Sequence, residues 1–166
     1  ARQDGPGGDY VLNGQKFCIT NAPIADVAVV WAKTLDHGSD APVIRGVLVE
    51  RGMAGFDTPE TKGKLSLRAS ITGEIVLSDV RVPRANLLPG VQGLKGPLGC
   101  LTQARFGIGW GAVGAAMAVY ERALGYSRER VQFGRPIAGF QLTQEKLVEI
   151  HNEIGKGLLL AYHFGR

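Results

Sequence analysis

The 166 residues are 45% hydrophobic and 20% charged, which is the composition of a folded globular protein and excludes a disordered chain. The formal net charge of +4 is spread without a long basic run, so nucleic acid binding is not expected, whereas an anionic small-molecule ligand would suit it. Cys18 and Cys100 lie far apart and match neither a disulfide framework nor a metal site.

Residues 1–90 predict β structure. Asn13-Gly14 stands between two short apolar runs and predicts the turn of a β-hairpin. The continuously apolar run 26–33 predicts a strand with both faces covered. The other predicted segments are the strands 44–50 and 73–82 and, as an edge strand or a loop, 56–61. Short strands separated by turn signals indicate a sandwich or a barrel.

The hydrophobic period changes after residue 97. One long helix is predicted from Leu98 to about Arg130, where Gly134-Arg135-Pro136 ends it, and a second helix from about Phe140 to the last residue. The low-charge run 106–120 is too short to span a bilayer and predicts a buried core helix. Small residues recur along it and would let another helix approach closely; they are Gly107, Gly111 and Ala115.

Strands followed by helices indicate an α+β fold. We expect a middle β-barrel or sandwich domain at 1–90, a Gly- and Pro-rich linker at 91–97, and the first helices of a C-terminal helical-bundle domain at 98–166. Two helices cannot bury all their apolar surface alone, so the helical domain is expected to be incomplete.

No complete catalytic set is visible in the sequence. The three histidines are not spaced as metal ligands, and no nucleophile-elbow, zinc-protease, dinucleotide-binding or P-loop motif occurs. Glu145, Glu149 and Glu153 recur every four residues on the second predicted helix, which is typical of a solvated helix face. The residues therefore assign neither a catalytic group nor a metal site.

The most informative segment runs from Arg130 to Gln141. An arginine near a helix end offers a fork of donors to a diphosphate, Phe133 offers a flat apolar face, and Gln141 can both donate and accept hydrogen bonds. Such a set suits a phosphate-and-purine contact. The segment resembles the R-x-x-F-G…Q segment of the acyl-CoA dehydrogenases, which are FAD enzymes, and the resemblance implies FAD contacts from Arg130, Gln132, Phe133 and Gln141.

A second segment, 16–21, resembles the K-x-W-I-T-N strand that lies beside the flavin in that family. The resemblance implies cofactor contacts from Cys18, Ile19 and Thr20, with the Thr20 hydroxyl near flavin N5, where a donor favours reduction. The alternative is that Thr20 is simply a β-branched strand residue. Cys18 stands where the family usually has Trp, and this smaller side chain would leave the flavin wall less filled.

A third segment, 96–111, resembles the substrate helix of the family in its glutaryl-CoA dehydrogenase form, and 63–70 resembles that subgroup too. The resemblance implies contacts with the acyl-CoA from four residues of this helix, namely Leu98, Leu101, Thr102 and Arg105. An arginine suits a phosphate or carbonyl contact. The alternative for Arg105 is a surface residue whose stem covers apolar neighbours.

The resemblance covers essentially the whole chain and implies an FAD-dependent enzyme that removes two hydrogens across Cα–Cβ of an acyl-CoA. In its glutaryl-CoA form, it implies oxidative decarboxylation to crotonyl-CoA and CO2, with electrons passed to electron-transfer flavoprotein. It also implies a homotetramer in which the Arg130–Gln141 segment reaches the partner subunit's FAD. The implied location is the cytoplasm of a bacterium or the mitochondrial matrix of a eukaryote.

Two parts of the family pattern are not found between Ala1 and Arg166. The flavin loop T-E-x-x-x-G-S-D is expected before Ala1 and the catalytic Glu after Arg166, so the chain is expected to be an internal fragment that is inactive alone. The alternatives are another acyl-CoA dehydrogenase, a related oxidase, or a non-catalytic binding or assembly module.

Overall fold

The computed structural model describes all residues 1–166 and divides them into two compact units, Ala1–Leu98 and Gly99–Arg166. The first unit consists mainly of β-strands, and the second contains most of the first long helix, a short hairpin and the second long helix. This is an α+β fold, as the order of the predicted elements indicates. Neither long helix is apolar enough along its length to cross a lipid bilayer.

The strands of the first unit form two antiparallel sheets. The strands are β1 (Arg2–Gln3), β2 (Tyr10–Thr20), β3 (Val27–Thr34), β4 (Val43–Glu50), β5 (Phe56–Asp57) and β6 (Thr72–Val82). One sheet has the order β1-β2-β6-β5, and the other pairs β3 with β4. The strand β5 lies at the edge of its sheet and covers only the first two residues of the segment 56–61, which was predicted as an edge strand or a loop.

Both sheets contribute side chains to one hydrophobic core. Leu12 of β2 and Val80 of β6 meet Val47 and Val49 of β4 there, and all four are essentially inaccessible to water. Burying each such side chain contributes about 1.5 to 3 kcal/mol. The core is therefore that of a sandwich, and the two sheets do not close into a barrel.

The predicted hairpin turn at Asn13-Gly14 is wrong, because β2 runs straight through both residues. Its partner β6 is equally long and pairs with it from Tyr10 to Thr20, so the long ladder outcompetes a local turn. Asn13 faces a bulge on β6, where its side-chain amide donates to the Asp79 carboxylate at 2.8 Å and accepts from the Asp79 N–H at 2.9 Å. The bulge also shifts the alternation of β6. The even-numbered Val80 and Val82 face the core on one side of it, and the odd-numbered Ile75 and Leu77 face the core on the other.

The strand β3 is not covered on both faces, in contrast to the prediction. Val27 and Val29 are 49% and 53% exposed, whereas Val30 and Thr34 are buried. A continuous apolar run is compatible with either arrangement, and here only one face of the two-stranded sheet packs on the core.

The two long helices are confirmed, with slightly different bounds. They are α1 (Lys95–Glu129), which begins before the predicted Leu98, and α2 (Gln141–Phe164). They run antiparallel: the Val113 side chain packs close to Gly157, and the rings of Tyr120 and His151 are 5.6 Å apart. One face of each helix is thereby partly covered.

The prediction of a buried core helix is wrong for α1, since most of its residues are exposed. A Cβ built at Gly107 or Gly111 meets no other atom, so these small residues do not form the contact with α2. Beyond its first turn, α1 packs mainly against α2, and the residues on its other sides are exposed. On α2, the apolar residues Leu147, Ile150, Ile154 and Leu158 are half-buried, whereas Leu142 is 74% exposed.

Candidate functional site

The end of β2 carries a second bulge at the first predicted cofactor segment. Lys16 pairs with Ile75 and Ile19 pairs with Gly73, so Phe17 and Cys18 stand opposite a single residue of β6. Cys18 accordingly has a φ of 57°, in the left-handed region. A bulge bends a strand and re-aims its side chains, and it leaves the side chains of Phe17 and Cys18 exposed.

The next two residues divide between core and solvent. Ile19 is half-buried against the hydrophobic core, and Thr20 is exposed opposite Thr72. The chain then turns at Asn21, whose φ is 63° and whose N–H donates to the Ile71 carbonyl at 2.8 Å. The structure therefore brings Cys18, Ile19 and Thr20 together on one bulged strand end, with Cys18 and Thr20 open to a ligand.

The second predicted cofactor segment forms a small β-hairpin between the long helices. It comprises β7 (Val131–Gln132) and β8 (Arg135–Pro136), closed by an Ile137 N–H that donates to the Arg130 carbonyl at 2.9 Å. The two central residues, Phe133 and Gly134, have φ values of 50° and 78°, as a tight hairpin turn with right-handed strand twist requires. The hairpin was not predicted from the sequence, in which Gly134-Arg135-Pro136 indicated the end of the first helix and no strands.

The hairpin presents Phe133 at its tip with 93% of the residue exposed. The Phe133 ring meets Phe140 edge-on at 6.4 Å between centroids, and the Arg135 guanidinium lies 4.2 Å above the Phe140 ring. The Phe133 ring is therefore accessible to a partner or ligand.

The remaining members of this set lie on the same segment. Arg130 and Gln132 are exposed on the hairpin, and Gln141 is the exposed first residue of α2, directly after Phe140. A guanidinium, two amides and a flat ring are thus available together, and this donor set fits a dinucleotide, whose diphosphate accepts hydrogen bonds and whose base stacks on rings.

The predicted substrate residues divide between a groove and the surface outside it. Thr102 and Arg105 line a groove of about 670 Å³ between α1 and α2, together with apolar residues that include Phe106, Leu160 and Phe164. Leu98 and Leu101 are 49% and 47% exposed and are not among the lining residues. The structure therefore groups two of the four predicted residues at one apolar cleft that carries a cation.

The glutamates of α2 are exposed, as their spacing predicts. Glu153 forms a surface ion pair with Lys156 at 2.6 Å, and Glu145 and Glu149 are open to solvent. None of them is enclosed as a catalytic base would be.

Sequence reasoning missed a polar cluster on the inner side of the sandwich. Arg45 holds Asp36 with two hydrogen bonds of 2.6 and 2.8 Å, and the Tyr10 hydroxyl donates to the same carboxylate at 2.5 Å. The hydrogen bonds from Arg45, and then that from Tyr10, lower the pKa of Asp36 to about 2. Burial raises the pKa of Tyr10. An arginine within the apolar β4 is the signal that could have revealed the cluster.

Two family models match the chain. The model described as acyl-CoA dehydrogenase, middle domain, matches residues 1–80, and the model described as acyl-CoA dehydrogenase, C-terminal domain, matches residues 91–166. The matched ranges cover both predicted cofactor segments and all four predicted substrate residues.

Individual proteins are similar along nearly the whole chain. A probable acyl-CoA dehydrogenase of Bacillus subtilis is 40% identical over 89% of this chain, and a mitochondrial isovaleryl-CoA dehydrogenase of Pongo abelii is 38% identical over 89%. The crystal structure of a glutaryl-CoA dehydrogenase from Mycobacterium smegmatis in complex with FADH2 is 50% identical, with a TM-score of 0.91 over 99% of this chain and 41% of its own. The chain spans 39% and 36% of the lengths of the two curated relatives.

Proposed function

Because this chain belongs to the acyl-CoA dehydrogenase family, we propose that it supplies parts of the FAD site and of the acyl-CoA site of an enzyme that oxidises the Cα–Cβ bond of an acyl-CoA. The observation that carries the proposal is the hairpin at Phe133, which displays an aromatic ring beside Arg130, Gln132 and Gln141. Phe133 contacts Phe140 only edge-on, and these exposed side chains match the chemistry of a dinucleotide.

The first unit, Ala1–Leu98, is called the β unit below, and its residues would contact the reactive part of the cofactor. FAD, when bound, supplies the electron acceptor for removal of the two substrate hydrogens. The exposed hydroxyl of Thr20 would donate a hydrogen bond to the flavin edge, and Cys18 would lie along the flavin wall in place of a larger ring. The bulge at Phe17-Cys18 holds this strand end in the conformation that exposes the side chains of Cys18 and Thr20.

The residues of α1 would bind the thioester. Thr102 and Arg105 place a hydroxyl and a cation in a groove whose other walls are largely apolar. An acyl-CoA combines an apolar chain with amides and phosphates, so one cleft with both kinds of surface suits it. Leu98 and Leu101 would extend the apolar contact along the exposed side of the helix.

We further propose glutaryl-CoA as the substrate, oxidised and decarboxylated to crotonyl-CoA, with electrons passed to electron-transfer flavoprotein by a homotetrameric enzyme. The 50% identity to a glutaryl-CoA dehydrogenase supports this choice over isovaleryl-CoA, for which the identity is 38%. Release of labelled CO2 from glutaryl-CoA by the full-length protein tests it. Oxidation of isovaleryl-CoA, together with no CO2 release from glutaryl-CoA, would reject glutaryl-CoA as the substrate. The proposed oxidation of an acyl-CoA would then still stand.

The FAD proposal is tested with the purified chain itself. We expect Arg130→Ala to weaken FAD binding about tenfold or more, because a charge-assisted contact to a diphosphate is lost. The matched control is Arg128→Ala, which removes an exposed arginine from the last turn of α1 and not from the hairpin. Flavin fluorescence titration measures both. Equal affinities of the two variants would refute the role of the hairpin, and no binding by the unmodified chain would show that it does not bind FAD unaided.

A further inference from the structure

The loop 63–72 is organised around one ammonium group. Lys64 Nζ donates to the Leu67 carbonyl at 2.9 Å, to the Thr72 hydroxyl at 2.8 Å and to the Ser70 carbonyl. The Thr72 hydroxyl in turn donates to the Ser70 carbonyl at 3.1 Å. All three ammonium hydrogens are therefore used, and each acceptor belongs to the same loop or to the strand that follows it.

Two features indicate that the loop depends on these bonds. Leu67 has a φ of 48°, a left-handed conformation that is costly for a branched side chain and persists only where its surroundings hold it. Its side chain is 79% exposed, and that of Leu65 is fully exposed, so apolar packing does not hold the loop. The half-buried Lys64 supplies the internal contacts instead.

The end of this loop is the direct neighbour of the proposed flavin strand. Thr72 is the register partner of Thr20 across the sheet, and the Ile71 carbonyl accepts from the Asn21 N–H at 2.8 Å. On the other side, the Thr72 carbonyl accepts from the Thr61 N–H at 2.9 Å. A displacement of residues 71–72 would therefore be transmitted to Thr20 and Asn21.

We infer that Lys64 is a positioning residue, which fixes the loop 63–72 and through Thr72 sets the place of Thr20 at the flavin edge. Its flavin role rests on the proposed function, whereas its effect on the strand end does not. Lys64 acts through Thr72 and Ile71 and has no contact of its own with Thr20. Removal of its ammonium group leaves the Leu67 carbonyl and the Thr72 hydroxyl without this donor and the Ser70 carbonyl with only the Thr72 hydroxyl, which favours a looser loop.

The first measurement is hydrogen exchange of the unliganded 166-residue chain. We expect Lys64→Met to speed exchange of the Asn21 and Ser70 amides about tenfold or more, since these bonds end on the loop that Lys64 holds. The control Lys62→Met removes an exposed lysine two residues earlier, and the Arg51 amide, bonded to the Asp26 carbonyl, serves as an internal reference. Unchanged exchange at Asn21 would overturn the inference.

The second measurement is FAD affinity by flavin fluorescence. We expect Lys64→Met to weaken binding about tenfold and Lys62→Met to leave it unchanged. Faster exchange at Asn21 with undiminished FAD affinity would overturn the flavin role. Absence of FAD binding by the unmodified chain would show that it does not bind FAD unaided, and the exchange data would then still decide whether Lys64 positions the strand end.

A third variant covers the case in which Lys64→Met does not fold. Thr72→Val keeps the shape of the side chain and removes only the hydroxyl that joins Lys64 to the strand. It is expected to speed exchange at Asn21 less than Lys64→Met and to weaken FAD binding in the same direction. Wild-type exchange and affinity in Thr72→Val would contradict the route through Thr72.

Discussion

Asp36→Asn should destabilise the β unit by an amount that the structure allows us to estimate. The Asp36 carboxylate accepts two hydrogen bonds from Arg45 and one from Tyr10, and its pKa is lowered from 3.8 to about 2. That difference corresponds to about 2.4 kcal/mol at about 1.36 kcal/mol per pH unit. Because the Asp36 side chain is 40% exposed, solvent screening reduces the expected loss to about 1 to 2 kcal/mol.

The sign of the pH dependence follows from the lowered pKa of Asp36. The folded state favours the ionised carboxylate, so this stabilisation is fully present above the unfolded value of 3.8 and is lost as the pH falls through about 2. An asparagine cannot ionise. The difference in unfolding free energy between the wild type and Asp36→Asn should therefore be constant above about pH 5 and shrink between pH 4 and pH 2.

Urea unfolding followed by the fluorescence of Trp31 measures this effect. Trp31 lies on β3 of the β unit, and a Trp110→Phe background removes the signal from α1. Asp40→Asn, a change at an exposed aspartate nearby, is the control and should have little effect. If Asp36→Asn is no less stable than Asp40→Asn, or if its deficit is the same at pH 6 and pH 2, the carboxylate does not stabilise the fold through its charge.

Other substitutions have equally definite outcomes. Gly73→Ala should lower the unfolding free energy of the β unit by more than about 2 kcal/mol, because its Cβ would lie 2.5 Å from the Pro59 carbonyl oxygen, and a wild-type urea midpoint would contradict that contact. Gly111→Ala should raise the thermal midpoint of the helical unit, gaining up to about 1 kcal/mol, since the new methyl group meets open space within a helix. Phe133→Ala should leave the thermal midpoint unchanged, as the side chain is exposed, yet weaken FAD binding in a fluorescence titration; a drop in stability would instead assign the ring to the fold. Arg105→Ala should weaken binding of a CoA thioester, measured by calorimetry, without altering FAD affinity.

The order and type of the main elements were predictable because local periodicity produces them. Short apolar segments between turn signals correctly located β4 and β6, and the change of pattern after residue 97 together with the break at Gly134-Arg135-Pro136 located α1 and α2. The Asn13-Gly14 pair led to a wrong turn prediction, because its turn preference is local. Pairing with β6, about sixty positions away, keeps both residues in a strand. The exposure of Val27 and of most of α1 could not be predicted from the sequence either. Burial depends on what packs against a strand or helix as well as on its own residues.

The candidate site was predictable only as a set of residue types on particular segments. The R-x-x-F-G pattern located Arg130 and Phe133, but the two-residue strands that turn them into a hairpin are too short for any periodic signal. The link from Lys64 to Thr72 and the pairing of Asp36 with Arg45 depend on where backbone atoms lie after folding. Such polar contacts leave no pattern in the sequence, because their partners become neighbours only when the chain folds.

The two bulges between β2 and β6 have a joint consequence for insertions and deletions. The first places an extra residue on β6 at Ser78-Asp79, and the second places an extra residue on β2 at Phe17-Cys18, so the offsets cancel and Thr20 still faces Thr72. Deleting one extra residue would remove its bulge and leave the pairs on either side unchanged, whereas deleting a residue of the regular ladder would turn the core side chains beyond it toward water. Single deletions in these two strands are therefore tolerable at the two bulges and costly in the regular ladder between them.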